Sequence, residues 1–324
     1  TGKKGSSKQN QIASFLRVVK STFNTPKLQA KEWAEAFDIL KEYIENSSKE
    51  GKKVLFIDEL PWLDSAKSGF LEELSYFWNN FLSKREDIIL VVCGSAASYM
   101  LKKVIHNKGP LHGRVTQIIS LKTFNLSEVK TFLEEKGCHY SNKSISELFM
   151  ILGGVAKYID SITSEFTVTQ NIDNLIFSQN ALLRNEYKEL FTSLFDSAKT
   201  HYEIMNTLIS KWSGFTQKEL SEKIKISQTG VKEPLKELVS SGFVTQIQKF
   251  GQTKRDIIYR ATDPFSYFYH KWLKELKFTN FNAISISQSY KSWSGFAFEN
   301  LCHIHIDAIK KALGISGVPT LAHY

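Results

Sequence analysis

Apolar residues recur at helical spacing over residues 9–23 and again over 31–46, where Trp33, Phe37, Leu40, Tyr43 and Ile44 share one face. The pattern then changes. Residues 54–57 (VLFI) form a short apolar run with β-branched and aromatic side chains, the signature of a buried strand, and it ends in two carboxylates, Asp58 and Glu59. A loop, LPWLDSAKSG, leads into a second amphipathic stretch in which Phe70, Leu71, Leu74, Phe77, Trp78, Phe81 and Leu82 fall on one helical face. Residues 88–93 read as another apolar strand, closed by Gly94 and Ser95, and residues 115–121 as a third. Apolar strands separated by an amphipathic helix predict an α/β domain whose parallel sheet is covered on both faces.

Past Phe124 the pattern is helical. Ser127 is placed to cap a helix running to Lys136, and 144–152 and 155–162 read as helices around Gly153 and Gly154. Residues 163–180 are polar and poorly periodic, the pattern of a linker. Three helices follow, over 202–211, 216–225 and 228–240, and then two strands, 243–250 and 256–260, around the turn GQTKR. Thr216 with Glu219 three residues on is a capping box, and Gly242 ends the third helix. This is a winged helix-turn-helix in outline. The aromatic stretch Phe265, Tyr267, Phe268, Tyr269 and Trp272 reads as a packing seam, and residues 292–313 are helical again.

Composition narrows the classes. Among 324 residues, 23 Phe, 12 Tyr and 6 Trp are too many for a disordered chain. No apolar run approaches the length of a membrane helix, so no membrane partner is expected. Cys93, Cys138 and Cys302 are scattered, with no CxxC, which argues against a disulfide framework or zinc cluster and for a cytoplasmic setting. A net charge of +9 favours an anionic partner, although basic and acidic residues are interleaved as on a solubilised surface. The chain opens TGKKGSSKQN, with neither an initiator Met nor a signal-peptide apolar region, as expected of a piece of a longer protein.

The most specific chemical signal is VLFIDE, which matches a Walker B strand. A carboxylate at the open end of a buried strand can hold the Mg2+ of a nucleoside triphosphate through its water shell, the role of Asp58. A second, Glu59, can polarise the attacking water. An ordinary strand ending in a charged turn has the same sequence. Ser95, at the exit of the next strand, can orient that water. Arg114, in GPLHGRVT, either reaches a neighbouring subunit's phosphate or is a surface ion-pair residue.

FIDELPW, the Trp-containing helix after it, VVCGSA, GPLHGRVT and LGGVAKYI together resemble the archaeal-type ATPases of the AAA+/STAND class of P-loop NTPases. The resemblance spans nearly the whole chain. It implies a P-loop NTPase-like core over 1–122, a helical lid over 123–200 with Gly153 and Gly154 near the nucleotide, a winged helix over 201–275, and the start of a restriction-endonuclease-like domain over 276–324. It also implies ATP and Mg2+ as cofactors, metal and nucleotide contact by Asp58, catalytic roles for Glu59 and Ser95, and an arginine finger at Arg114 acting across a homo-oligomer. There are departures. The family's GxxxxGK[ST] phosphate loop does not occur, and is expected upstream of the segment matching TGKKGSSKQ. Ala156 stands where relatives usually carry Pro. Glu299 in GFAFEN resembles the first nuclease helix, but the metal-binding residues would come later, so nuclease activity is not expected.

The winged helix offers DNA contacts from Gln228 and Thr229 to bases and from Lys249, Lys254 and Arg255 to phosphates. Against this, Lys232 and Lys236 on the third helix are matched by Glu233 and Glu237, which leaves little net charge for phosphate binding. His303 and His305 lie too far apart in angle on one helix to share a metal. Two functions follow from the sequence. One is an ATP-hydrolysing nucleotide switch whose site is incomplete in these residues. The other is a DNA-binding or protein-interaction scaffold with an ATPase fold and no turnover.

Overall fold

The apolar run before Asp58 forms β1 (Lys53–Ile57), which pairs in parallel with β2 (Ile88–Val92) from Lys53↔Ile88 to Ile57↔Val92. In this computed structural model the described residues are 1–26, 28–47, 50–65, 67–95, 99–105, 110–195, 198–248, 257–275 and 278–317, and they divide into two units, 1–119 and 120–324. In the first unit the amphipathic stretches become α1 (Lys8–Phe23), α2 (Trp33–Glu45) and α4 (Phe70–Asn80), with a single turn, α3 (Leu60–Leu63), after the acidic pair. Their apolar faces meet around Trp33, whose ring lies 4.7 Å from that of Phe70, and Leu55 and Ile57 of β1 pack on the same cluster.

Two sequence expectations change here. Among the described residues the sheet is covered on one face only, because the alternate residues Val54 (63% exposed), Phe56 (58%) and Ile89 (48%) face outward. Residues 115–121 form no strand, and Leu121 is 92% exposed. A strand needs a neighbour for its backbone N–H and C=O groups. None of the described strands pairs with this segment, so apolarity alone does not make it one.

The second unit opens with α5 (Leu126–Glu135), α6 (Asn142–Leu152) and α7 (Ala156–Asp160). Asn125, not Ser127, caps α5, in a reciprocal box with Glu128. Ala156 is the first residue of α7, a position that accepts Ala as well as Pro. The expected linker is structured. Residues 163–180 contain α8 (Val168–Ile172) and a wide turn, Asp173–Phe177, which bury Val168, Ile172, Leu175 and Ile176. Its period was hidden because the apolar residues lie on two short elements rather than one long one.

After α9 (Glu186–Leu194), the helix-turn-helix is α10 (Ala198–Ile209), α11 (Gln217–Ile224) and α12 (Gln228–Ser240), with the Thr216–Glu219 capping box in place. Strands β3 (Phe215–Thr216), β4 (Val244–Gln248) and β5 (Ile257–Ala261) form an antiparallel sheet in the order β3-β5-β4. The aromatic seam fills α13 (Pro264–Phe268) and the turn after it, all buried. The chain continues through α14 (Phe281–Ser285), α15 (Gln288–Ile304) and α16 (Ile306–Ala312), with a break at His305. His305 Nε2 accepts a hydrogen bond from the Leu126 N–H at 2.8 Å and its Nδ1 donates to Leu301 O, so it ties α15 to the start of α5. No helix of the described residues is long and apolar enough to cross a membrane.

Burial and the charge of Lys274 hold His270 down to about 4, and its Nε2 meets the Tyr187 hydroxyl at 3.0 Å. The unfolded histidine titrates near its ordinary value, so between about pH 6.5 and 4 the unfolded chain binds the extra proton. Stability is fully present above that window and is lost as pH falls through it, by roughly 3 kcal/mol. Urea unfolding at pH 7 and 4.5 should show this drop in the wild type and a clearly smaller one in His270→Gln.

Candidate active site

One residue past the last registered pair of the parallel ladder, Asp58 leaves β1 and Cys93 leaves β2. Neighbours in parallel register carry their side chains on the same face, and the Cys93 thiol donates to Asp58 Oδ1 at 3.0 Å. The backbone continues the bracing. Cys93 N–H donates to Ile57 O at 3.0 Å and Leu60 N–H to Cys93 O at 2.9 Å.

Glu59 then turns into the left-handed region (φ 52, ψ 49), at a cost of about 1 kcal/mol for a residue with a side chain. The turn aims its carboxylate at the β2 exit, where Ser95 donates to Oε2 from its hydroxyl at 3.0 Å and from its N–H at 3.3 Å. Gly94 between them has no room for more, since a Cβ there would lie 2.6 Å from Pro61. The two acids are thus each held by one residue of the neighbouring strand exit.

The N-terminal loop closes over the pair. Gly2 N–H donates to Asp58 O at 2.8 Å, and a Cβ on Gly2 would lie 2.3 Å from Glu59 O. Gln11 of α1, 1% exposed, fixes this loop by accepting from Lys3 N–H and by donating to Lys3 O and to Trp62 O. The Cys93 thiol, and to a smaller extent the Thr1 side chain, hold the Asp58 carboxyl below its ordinary range against the opposing effect of burial. Burial first, then Asp58 itself, push the Cys93 thiol up.

The structure therefore brings together Asp58, Glu59 and Ser95. It does not place Arg114 with them: Nε donates to Asn79 Oδ1 at 2.8 Å, and Nη1 donates to the carbonyls of Pro110 and His112. Gly153 and Gly154 belong to the second unit and have local reasons to be glycine. Gly153 ends α6 at φ 66, and Gly154 lies against the backbone of Phe124, whose N–H donates to Gly154 O at 2.8 Å. Gln228 and Thr229 are exposed at the start of α12, while Lys249, Lys254 and Arg255 lie outside the described residues.

On the third helix Glu237 turns inward to buried His201, 2.9 Å away, and Glu233 pairs with Lys236, so the helix keeps two lysines against two glutamates. Sequence reading missed Cys93 and Gln11. Cys93 follows Val92 as Asp58 follows Ile57, so the register was the signal that could have found it. Gln11 carries no such mark.

Among the described residues no group of three or more His, Cys, Asp or Glu could hold a metal ion. What the site offers is one carboxylate kept ionised at a strand end. That fits a magnesium ion carried by a triphosphate and met through water, and does not fit a resident metal caged by protein.

Residues 3–162 match the model of an ATPase domain predominantly from Archaea, and residues 198–245 match a winged helix-turn-helix DNA-binding model. An uncharacterized protein of Methanocaldococcus jannaschii is 23% identical over 303 residues, covering 90% of this chain but 64% of its own length. The chain thus spans less than two thirds of that curated relative. Two solved structures are similar: a Walker-type ATPase of Pyrococcus abyssi (15% identity, 82% of this chain and 77% of that one, TM-score 0.49), and a Signal Transduction ATPase with Numerous Domains from Pyrococcus horikoshii with a tetratricopeptide repeat sensor (12%, 94% and 42%, TM-score 0.27).

Proposed function

We propose, from the premise that residues 3–162 belong to an ATPase domain family found predominantly in Archaea, that this protein binds and hydrolyses ATP as a nucleotide-dependent switch. The observation that carries the reading is the pair of acids at the carboxyl end of a parallel strand, each braced by the next strand's exit. Ligands of open α/β sheets bind at that end. Asp58 would meet the Mg2+ of the triphosphate through water; bound there, the ion neutralises charge building on the phosphates. Glu59, fixed by Ser95, orients and polarises the attacking water.

The phosphate-binding loop that such a site needs, GxxxxGK[ST], has no counterpart in the 324 residues. The open apolar face of the sheet leads up to Asp58 and Cys93 and is a surface that a helix would cover. Arg114 would act as a finger in a homo-oligomer only after leaving Asn79. Gly153 and Gly154 would shape the lid hinge, within the four-part division at 122, 200 and 275. The winged helix would be the element that moves, and the protein would work in the cytoplasm.

One observation favours a second reading, DNA binding without turnover. With Glu237 turned inward, α12 presents Gln228, Thr229 and Lys232 outward, in a module whose family model is a DNA binder. Steady-state hydrolysis by the protein carrying its phosphate loop separates the two. Asp58→Ala should lower turnover at least about 100-fold. A wild-type rate in that variant, or no turnover in the wild type together with salt-dependent binding to a duplex, would overturn the ATPase reading.

A further inference from the structure

At the end of β2, three groups of Cys93 are engaged with the acidic turn: its N–H, its carbonyl and its thiol. The first two are main-chain bonds that any residue would make. The third depends on the side chain. A carboxylate end has a broad two-fold torsion, so Asp58 is oriented by what binds its oxygens: first the Cys93 thiol, then the Thr1 side chain and the Glu59 N–H. The thiol is half-buried and is not part of a disulfide.

We propose that Cys93 is the positioning residue of the site: its S–H proton on Oδ1 fixes the rotation of the Asp58 carboxylate, so that the oxygen lone pairs left over point in one direction, toward the hydrated cation of a nucleotide. The proposal rests on the ATPase reading above. It assigns the third residue of VVCGSA a chemical task that its place in an apolar strand conceals. Valine in its place would fill the same volume and make the same two main-chain bonds. Serine would keep a donor of one proton on a shorter arm.

The test uses the protein with its phosphate loop and four variants, Cys93→Val, Cys93→Ala, Cys93→Ser and Asp58→Ala. Loss of one hydrogen bond to a charged acceptor should lower kcat/KM about tenfold in Cys93→Val and Cys93→Ala. Cys93→Ser should restore kcat/KM to within about threefold of wild type. Agreement between the Val and Ala variants excludes a packing defect as the cause. A second readout does not depend on turnover: electron paramagnetic resonance titration of Mn2+ with ATP should show weaker retention of the ion in Cys93→Val and recovery in Cys93→Ser. Equal losses in the Val and Ser variants, or wild-type kcat/KM and Mn2+ retention in Cys93→Val while Asp58→Ala is inactive, would overturn the role of Cys93 and leave the ATPase reading intact. Full activity of Asp58→Ala would remove both.

Discussion

Exchanging Glu59 for Gln should lower ATP turnover at least about 100-fold while nucleotide affinity stays within about threefold. The substitution is nearly isosteric. A carboxamide oxygen can still accept the two hydrogen bonds that Ser95 now gives to Oε2, so the turn at φ 52 keeps its brace. What is lost is the negative charge that draws a proton from the attacking water. Because that charge matters only as the water is activated, its removal should appear in kcat and not in binding. Steady-state hydrolysis and calorimetric titration on the same preparation check both halves. A Glu59→Gln enzyme at the wild-type rate would mean that the carboxylate serves the turn and not the chemistry.

Gly154→Ala should unfold or nearly unfold the second unit. A Cβ at Gly154 would lie 1.8 Å from Phe124 O, 2.7 Å from its C and 2.9 Å from its N. All three are backbone atoms, so no side chain can swing away. The same stretch of Phe124 is hydrogen-bonded to Gly154 O, and moving it would also displace the Asn125 cap of α5. The expected loss exceeds about 4 kcal/mol, in the range reserved for clashes that the structure cannot relax. Gly153→Ala is the internal comparison. Its Cβ would come no nearer than 3.4 Å to Pro264, and only the backbone at φ 66, ψ −159, a region nearly confined to glycine, is costly, by about 1–3 kcal/mol. Urea unfolding of the two variants should rank them in that order. A Gly154→Ala protein as stable as Gly153→Ala would show that the approach to Phe124 is not needed.

Much of the fold was legible because its signals are local. The Thr216–Glu219 box and the apolar stripes of α1, α2, α4 and α12 involve neighbours in sequence, and each appears where the spacing puts it. Residues 115–121 show the limit: strand character depends on a partner, and composition carries no information about whether one is there. The linker over 163–180 failed for a related reason, since α8 and the turn after it are too short to show a period.

The acids of the site were legible because they end an apolar run. Their partners were less so, since Cys93 reads as the last residue of a strand until the parallel register is known. Helical spacing cannot tell that Glu237 of α12 faces a buried histidine from another helix. Arg114 was singled out by motif, and its bonds to Asn79 and two carbonyls are tertiary facts that no motif contains.

The central claim is that the carboxylate of Asp58 faces the cation of a bound nucleotide. The most direct measurement is electron paramagnetic resonance of Mn2+ with ATP bound to the protein carrying its phosphate loop, compared between wild type and Asp58→Ala. A protein-retained Mn2+·ATP signal in the wild type that is strongly weakened in the variant, with both proteins equally folded, is the predicted result. The same signal at the same Mn2+ concentration in both would contradict it.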